Sequence, residues 1–194
     1  MSRDAGHGPL IAFTSLAAAG AGLINDVRAL QRPGALAAAK NSGLAVCLMH
    51  RQGEPSFMQN APRYTDLVQD VVAFLHQRVE ACVAAGISRS QLLVDPGFGF
   101  GKTLHHNLLL LQKLDSLQVL AVPVLVGMSR KSMVGMVLDK PVEQRLFGSL
   151  ALAVMAVQKG ARIIRVHDVG PTVDALKMAW AVMQVSLDQE ANTL

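Results

Sequence analysis

Five short apolar runs constrain the fold of this 194-residue chain more than any other feature of its sequence. They span residues 23–27, 44–49, 92–95, 122–126 and 163–168, and polar or glycine residues stand at or near the carboxyl end of each. Near-continuous apolar runs of this length are typical of parallel strands that are buried on both faces. Because helical patterns separate the runs, the sequence predicts an α/β fold built on a parallel sheet.

The helical patterns between the runs indicate how much of such a fold is present. Apolar residues at spacings of three and four predict a helix from Leu67 to Val83, with Gly86 as its stop signal. Further helices are predicted at about 11–21, 33–40, 108–114, 142–159 and 171–187. A complete barrel of eight strand-helix units typically needs about 250 residues, with about 200 as a floor. Five units in 194 residues therefore predict either an open sheet or part of a barrel.

The composition excludes several classes of protein. A hydrophobic share of 51% with 16% charged residues is globular, and no apolar run approaches the roughly 18 residues of a membrane helix. The first ten residues lack the apolar core of a signal peptide, and Cys47 and Cys82 are predicted to be small buried thiols of a reducing cytosol. A net charge of +4, no basic run longer than two residues and a single Trp do not indicate nucleic-acid binding. We therefore expect a cytoplasmic protein that binds neither nucleic acid nor a membrane.

Residue spacing also excludes several familiar motifs. Gly101-Lys102-Thr103 matches the end of a phosphate-binding P-loop, but Pro96 stands where that motif needs its first glycine. No GxGxxG dinucleotide turn is present, because neither Lys102 nor Leu104 is the glycine that the motif requires. The six histidines include no HExxH motif and no cluster with zinc spacing.

Asp95 is the most informative single residue. It ends the apolar run that begins at Leu92, and Pro96 and three glycines alternating with two phenylalanines follow it. A carboxylate in such a position is costly to bury unless a partner satisfies it, and the glycines let the backbone come close to a ligand. We interpret Asp95 as a ligand-binding carboxylate; the alternative is an Asp-Pro turn that only ends a strand.

Two cationic groups follow the last two apolar runs. Lys131, next to Arg130, stands near the start of a helix, where a cation is disfavoured by about 0.3–1 kcal/mol unless an anion binds there. Arg165 and His167 lie two residues apart on a strand, so both side chains leave the same face and favour a phosphate or diphosphate site. The alternatives are a solvated basic turn for the first group and an ion pair with Asp168 or a neighbour for the second. Asp168 itself is expected on the opposite face, in a structural role.

Taken together, the strand ends offer an amide, a carboxylate, a lysine and an Arg/His pair. Ligands of parallel α/β proteins bind at this end of the strands. Such a set suits a pterin that carries a diphosphate, although many heterocycles present similar donor and acceptor edges.

Five motifs in order resemble the signatures of the dihydropteroate synthase family. They are Asn25–Val27, Cys47–Gly53, Asp95–Lys102, Ser129–Ser132 and Arg165–Val169, and the resemblance covers the chain from about residue 12. The family is a (β/α)₈ TIM barrel of the pterin-binding type. The resemblance implies that residues 1–194 form a single pterin-binding domain made of the C-terminal five strand-helix units. The barrel is then incomplete, because the first three units are lacking.

The family joins para-aminobenzoate to 6-hydroxymethyl-7,8-dihydropterin diphosphate in folate biosynthesis and releases diphosphate. Sulfonamides mimic the para-aminobenzoate. The resemblance implies that Asn25 and Asp95 hydrogen-bond the pterin ring, while Lys131 contacts the pterin beside the para-aminobenzoate site. The remaining implied roles are a pterin slot shaped by Met49, Phe100 and Gly127, a para-aminobenzoate contact from Ser132, and diphosphate binding by Arg165 and His167.

The resemblance also implies a cofactor and a partner. The family uses Mg²⁺, whose ligand lies in the lacking N-terminal part, so no metal ligand is expected among residues 1–194. A homodimer through the C-terminal helices is expected. The chain alone is expected to make no product, and its two open sheet edges favour association.

Two other functions remain open at this point. Besides a dihydropteroate synthase, the chain could be an inactive remnant that dimerises and retains pterin binding. It could also be a relative of the pterin-binding methyltransferases. The Ser129–Ser132 motif argues against the methyltransferase, because in the resemblance it serves the para-aminobenzoate side of the site.

Overall fold

A computed structural model describes residues 18–53 and 62–185. Its sheet has five strands, all parallel, which neighbour one another in sequence order. The strands are β1 (Leu23–Asp26), β2 (Ala45–Met49), β3 (Leu92–Asp95), β4 (Val124–Val126) and β5 (Ala161–Ile164). This order confirms the predicted α/β fold, because repeated strand-helix units lay each new strand beside the last.

Helices connect the strands, and most of them begin and end near the predicted residues. They are α1 (Ala35–Ser42), α2 (Leu67–Ala84), α3 (Leu104–Gln112), α4 (Ser132–Leu138), α5 (Leu146–Gln158) and α6 (Val169–Met183). Short 3₁₀ turns lie at Arg89–Gln91, Leu114–Leu120 and Val142–Gln144. Gly43, with a φ of 66°, ends α1, and the Asp66 side chain caps α2. These are the stop and start signals that the sequence pattern uses.

Four predicted elements differ from the structure, and the first is the helix predicted at 108–114, which is observed as α3 from Leu104 to Gln112. The helix predicted from Val142 begins only at Leu146, because Val142–Gln144 forms a separate 3₁₀ turn after Pro141. The last strand, predicted through residue 168, ends at Ile164. The last helix begins at Val169 instead of Pro171, and the part of it predicted beyond residue 185 lies outside the described residues. Most of the helix predicted at 11–21 lies outside them as well.

The two faces of the sheet have different surroundings. One face packs against the helices and forms the core, with Val46, Leu48, Leu92, Val94, Val124 and Val126 among its members. The other face carries Asn25, Cys47, Met49 and Asp95 and would line the interior of a closed barrel. At the two ends of this inner face Leu23 and Ile163 are 37% and 39% exposed. The inner face is therefore open at both edges of the described sheet.

Two further expectations can be compared with the described residues. Cys47 and Cys82 are both buried and unpaired, as predicted. Within 18–53 and 62–185, no helix combines the length and the apolar character that a membrane crossing needs.

Candidate active site

Asp95 stands at the carboxyl end of β3 and is almost completely buried. Only 1% of the residue is exposed, and its Oδ1 atom accepts a 2.7 Å hydrogen bond from the backbone N–H of Gly97. Burial raises the pKa of this carboxyl, while the hydrogen bond and the charges of Lys131 and Arg165 oppose that rise. A turn that only ends a strand needs no such cations, so the surroundings favour the ligand-binding interpretation.

The residues after Asp95 form the glycine-rich loop, Pro96–Gly101, which is packed against the chain that follows β2. A Cβ atom on Gly97 would lie 1.8 Å from the backbone oxygen of His50, and one on Gly101 would lie 2.4 Å from that of Gln52. Both glycines also have positive φ angles, 70° and 62°, which other residues rarely adopt. Glycine at these two positions therefore allows a backbone approach that no side chain permits.

Lys131 reaches this loop from the segment between β4 and α4. Its Nζ atom donates a hydrogen bond to the backbone oxygen of Phe98 and lies 4.7 Å from the centroid of the Phe100 ring. Burial lowers the pKa of Lys131 to about 8, although the nearby carboxylate of Asp95 works in the opposite direction. Lys131, Phe100 and Asp95 thus form one cluster, which argues against a solvated basic turn.

Lys131 also lines a cavity of about 240 Å³ at the carboxyl ends of β4 and β5. Its other lining residues are Gly127, Ser129, Arg165, Val166 and His167. The Oγ atom of Ser129 lies 3.0 Å from His167 Nδ1 and accepts a 3.2 Å hydrogen bond from the His167 backbone N–H. Arg165 lies against Gly127, where a Cβ atom would be 2.9 Å from a guanidinium nitrogen. Arg165 and His167 therefore share one cavity, although β5 ends one residue before Arg165.

Asp168 has the structural role that the sequence predicts. Its carboxylate accepts a 2.9 Å hydrogen bond from Nε of Arg130 and a second contact from the same guanidinium. The Arg130 hydrogen bond holds the pKa of Asp168 below its usual range. The two neighbouring cations therefore have different partners. Arg130 hydrogen-bonds Asp168, whereas Lys131 lies near the carboxylate of Asp95.

Strand register places the other candidate pterin contacts on the inner face. Asn25 pairs with Cys47, and Met49 pairs with Asp95, so all four side chains share that face. Cys47 lies within the electrostatic reach of Asp95 and Arg165, and burial raises its pKa to about 12. Met49 is 1% exposed, whereas Asn25 on the edge strand is exposed. The inner face is therefore buried at Cys47, Met49 and Asp95 and carries the exposed Asn25 amide at its open side.

A second lysine holds the glycine-rich loop from within the protein. Lys102 is only 3% exposed, and its Nζ atom donates hydrogen bonds to the backbone oxygens of Gly97 (3.0 Å) and Phe100 (3.2 Å). The same Nζ atom lies 3.0 Å from Nδ1 of His50. Burial lowers the pKa of Lys102 to about 7 and that of His50 to about 3. Lys102 ends the Asp95–Lys102 motif, but the sequence alone predicts no role for it.

The arrangement separates two kinds of chemistry. A buried carboxylate with aromatic and thioether neighbours suits a flat ring whose N–H groups donate to Asp95. The adjoining cavity, with Lys131, Arg165 and His167, suits an anion. One ligand that carries both parts would bridge the ends of β3, β4 and β5.

Comparisons with known proteins show the family to which the chain belongs. The model of the pterin binding enzyme family matches residues 9–167. The dihydropteroate synthase of Haemophilus influenzae is 56% identical over 159 residues, which are 82% of this chain and 58% of that protein. The chain belongs to the dihydropteroate synthase family.

Other members agree with this assignment. The Escherichia coli K12 dihydropteroate synthase is 51% identical over 164 residues, which are 84% of this chain and 58% of that protein. The Yersinia pestis dihydropteroate synthase, solved as a sulfonamide drug complex, superposes with a TM-score of 0.87 at 55% identity. That match covers 90% of this chain and 64% of the other. The chain thus spans less than two thirds of the length of these relatives, as a partial (β/α)₈ barrel.

The structure brings most of the candidate dihydropteroate synthase residues together. Asp95, Lys131 and Phe100 cluster at the loop, and Gly127, Arg165 and His167 line the adjoining cavity. Ser132 is the first residue of α4 and is exposed, so its contact with para-aminobenzoate stays a prediction. The sequence did not predict Ser129 as a lining residue of the cavity. The available signal was its position in the Ser129–Ser132 motif, two residues before Lys131.

Proposed function

We propose that this chain supplies the pterin-binding and diphosphate-binding residues of a dihydropteroate synthase. The reaction condenses 6-hydroxymethyl-7,8-dihydropterin diphosphate with para-aminobenzoate to form 7,8-dihydropteroate and diphosphate in folate biosynthesis. The observation that carries the proposal is the buried Asp95 carboxylate beside the cations of Lys131 and Arg165, both of which also line a cavity of about 240 Å³. No other described part of the chain joins a ring-binding carboxylate to an anion site in this way.

Pterin recognition is assigned to the inner face of the sheet. Asp95 accepts hydrogen bonds from the N–H groups of the pterin ring, and Asn25 supplies an amide at the open side. Met49 and Phe100 bound the flat ring. Because Asp95 is desolvated, its hydrogen bonds to a ligand are stronger than they would be in water.

Diphosphate binding is assigned to Arg165 and His167. The C–O bond between the pterin methylene and the diphosphate breaks as the new C–N bond forms, so negative charge grows on the leaving group. Arg165 and His167 stabilise that charge from fixed positions, which lowers the barrier. The amine of para-aminobenzoate attacks the methylene carbon and then loses a proton to solvent.

The para-aminobenzoate site is assigned to the surface beside Lys131, Ser132 and Phe100. We assign to the Lys131 ammonium a contact with the pterin on one side and with the aromatic substrate on the other, and its position 4.7 Å from the centroid of the Phe100 ring supports this assignment. Sulfonamides would compete for this surface, as the sulfonamide complex of the Yersinia pestis relative suggests.

Magnesium is a proposal from the family alone. Among the described residues, no group of three or more His, Cys, Asp or Glu side chains is placed to hold a metal ion. We therefore derive no step through the metal.

Homodimerisation through the C-terminal helices is supported by exposed apolar side chains. Phe147 on α5 is 78% exposed, and Met178 and Val182 on α6 are 68% and 71% exposed. Apolar side chains of this size are costly to leave in water, and contiguous patches of them mark interaction surfaces. Sedimentation of the chain and of a Met178→Glu variant tests the proposal, since the variant should shift toward monomer.

A cytoplasmic location and the absence of nucleic-acid and membrane partners are likewise proposed. The two buried, unpaired cysteines support a reducing compartment. Fractionation of cells that produce the chain with a tag tests the location.

Ligand binding tests the proposed function directly. A fluorescence titration with 6-hydroxymethylpterin should show saturable binding, and Asp95→Asn should weaken it at least about tenfold, or 1.4 kcal/mol. Asp174→Asn, an exposed carboxylate on α6, is the matched control and should bind as the unchanged chain does. Equal binding by Asp95→Asn and the control would overturn the assignment of Asp95.

Turnover separates an enzyme from an inactive remnant. The polypeptide of residues 1–194 alone, supplied with both substrates and magnesium, is expected to release no diphosphate. Each missing group that stabilises the leaving charge typically costs a factor of about 100 or more. Turnover within about tenfold of a relative assayed beside it would contradict that expectation.

A further inference from the structure

The buried Lys102 has no part in the proposed reaction, and its burial needs an explanation. Lysine is among the residues least often buried, because its ammonium loses hydration unless partners replace the water. Here three partners do so: the backbone oxygens of Gly97 and Phe100, and Nδ1 of His50. All three belong to the glycine-rich loop or to the chain end of β2 that the loop packs against.

Other contacts hold the same loop, and they show how completely it is braced. The Oδ1 atom of Asn107 accepts a 2.7 Å hydrogen bond from the backbone N–H of Gly99, and Nδ2 of Asn107 donates to the backbone oxygen of Lys102 at 3.3 Å. The hydroxyl of Tyr64 donates a 2.8 Å hydrogen bond to the backbone oxygen of Gly101. Lys102 is the member of this set that bonds two loop carbonyl groups at once.

We propose that Lys102 is a positioning residue for ligand binding. By bonding the backbone oxygens of Gly97 and Phe100, it holds the loop in the shape that presents the Asp95 carboxylate and the Phe100 ring to a pterin-like heterocycle. The inference rests on the proposed function, because it needs a ligand that Asp95 and Phe100 share.

The neighbouring helix does not need Lys102 for its own stability. Helix α3 begins at Leu104 and has its own cap, in which Oγ1 of Thr103 accepts a hydrogen bond from the N–H of His106 at 3.1 Å. The hydrogen bonds of Lys102 Nζ join it to His50 and to the loop. Its loss should therefore loosen the loop before it loosens the helix.

The charged groups around Lys102 give the proposal an independent readout. Asp95 faces it from β3, His50 from the end of β2, Lys131 from the segment before α4, and His106 from α3. Lys102 helps to keep Asp95 ionised, since its positive charge lowers the pKa of that carboxyl. Removal of Lys102 should raise the pH at which Asp95 takes up a proton and stops accepting hydrogen bonds from a ligand.

The experiment compares Lys102→Met with Lys113→Met in the full chain. Lys113 is the matched control, because it is an exposed lysine at the end of the adjacent helix. Two quantities are measured: hydrogen exchange of the Gly97, Gly99 and Phe100 amides, and binding of 6-hydroxymethylpterin as a function of pH. Lys102→Gln, which keeps one donor, covers the case in which Lys102→Met does not fold.

In Lys102→Met we expect the three loop amides to exchange at least about tenfold faster, while amides of α2 keep their protection. Pterin affinity should fall at least about tenfold, and the loss of binding in acid should begin at a higher pH than in the unchanged chain. Lys102→Gln should fall between that variant and the unchanged chain, and Lys113→Met should match the unchanged chain.

Three results would overturn the proposal. In the first, the loop amides of Lys102→Met exchange at the same rate as those of the unchanged chain. In the second, the variant binds pterin more weakly but its affinity depends on pH as before, and in the third neither Lys102 variant folds. The last result would mean that Lys102 holds the whole fold and not the loop. If the unchanged chain binds no pterin, the proposed function fails, and hydrogen exchange still decides whether Lys102 positions the loop.

Discussion

The glycine-rich loop Pro96–Gly101 and the segment Arg165–His167, here called the cationic edge, both follow parallel strands, yet they are held in different ways. Side-chain hydrogen bonds hold the loop, and they come from Lys102, from Asn107 of α3 and from Lys131 in the segment before α4. Arg165 and His167 are exposed, and they follow the strand at the open side of the sheet. The first region is held by many contacts within this chain, whereas the second is held by the contacts of His167 with Ser129 and of Arg165 with Gly127.

The difference explains why the two regions should respond differently to substitution. A change in the loop disturbs buried backbone contacts and so affects stability and binding together. A change at the cationic edge removes an exposed charge and so affects binding alone. The predictions that follow test this contrast, from the largest expected effect to the smallest.

Gly97→Ala should be the most damaging change. The new Cβ atom would lie 1.8 Å from the backbone oxygen of His50, at a φ of +70°. We expect the free energy of unfolding to fall by on the order of 3 kcal/mol, because both the clash and the backbone strain must be relieved. Chemical denaturation measures the effect. The control is Gly34→Ala, which has a φ of +78° but nothing within 4 Å of the added carbon, and it should lose only about 1–2 kcal/mol.

The pH dependence of stability should reveal the buried lysine of the loop. The pKa of Lys102 is lowered to about 7 in the folded protein, so above that pH the unfolded chain binds more protons than the folded one. The stability contributed at this site should therefore rise as the pH rises from 7 toward the ordinary lysine value of about 10.4.

Comparison with Lys102→Met isolates that contribution from the rest of the molecule. Between about pH 7 and about pH 9.5, the unchanged chain should gain on the order of 1–2 kcal/mol relative to the variant. Denaturation curves at the two pH values measure the gain. A difference that stays constant or shrinks with pH would contradict the assigned burial of the ammonium.

Arg165→Ala should affect binding and leave the fold intact. We expect the affinity for inorganic diphosphate to fall at least about tenfold, or 1.4 kcal/mol, with an unchanged denaturation midpoint. Isothermal calorimetry measures the affinity. Arg162→Ala removes an exposed arginine of β5 that lies outside the cavity, and this variant should bind diphosphate normally. Equal losses in both variants would mean that the anion responds to overall charge and not to the cavity.

The smallest effect is expected from the ion pair beside the cationic edge. Arg130 holds the pKa of Asp168 below its usual range, so the stabilisation is present above the ordinary carboxyl pKa and is lost as the pH falls through the lowered value. Asp168→Asn should therefore be slightly less stable than the unchanged chain at neutral pH and equally stable in strong acid. Thermal unfolding across the acid range measures this, and added salt should shrink the difference.

Much of the fold could be predicted because its signals are local. Apolar runs, the glycine after α1 and the spacing of α2 each depend on a few neighbouring residues, and the structure confirms those elements. The close packing of α4 against α5 could not be predicted from such signals. A Cβ atom on Gly148 would lie 2.6 Å from Cγ1 of Val134, and no local pattern in the sequence pairs these two residues.

The candidate site shows the same limit. Asp95, Arg165 and His167 stand out because polar groups in apolar runs are unusual, and Asp95 lies beside the charge of Arg165 in the structure. Lys102 does not stand out, because a lysine after a glycine-rich segment normally points to solvent. Only the fold shows that His50 and the loop carbonyl groups surround it.

One crossed measurement tests the central claim that the loop binds the ring and the cationic edge binds the anion. Calorimetric titrations with 6-hydroxymethylpterin and with inorganic diphosphate are made on Asp95→Asn and on Arg165→Ala. We predict that Asp95→Asn loses pterin and keeps diphosphate. Arg165→Ala should lose at least about tenfold in diphosphate affinity and less in pterin affinity, because Arg165 also lowers the pKa of Asp95. Equal losses of both ligands in both variants, or no loss in either, would contradict the account.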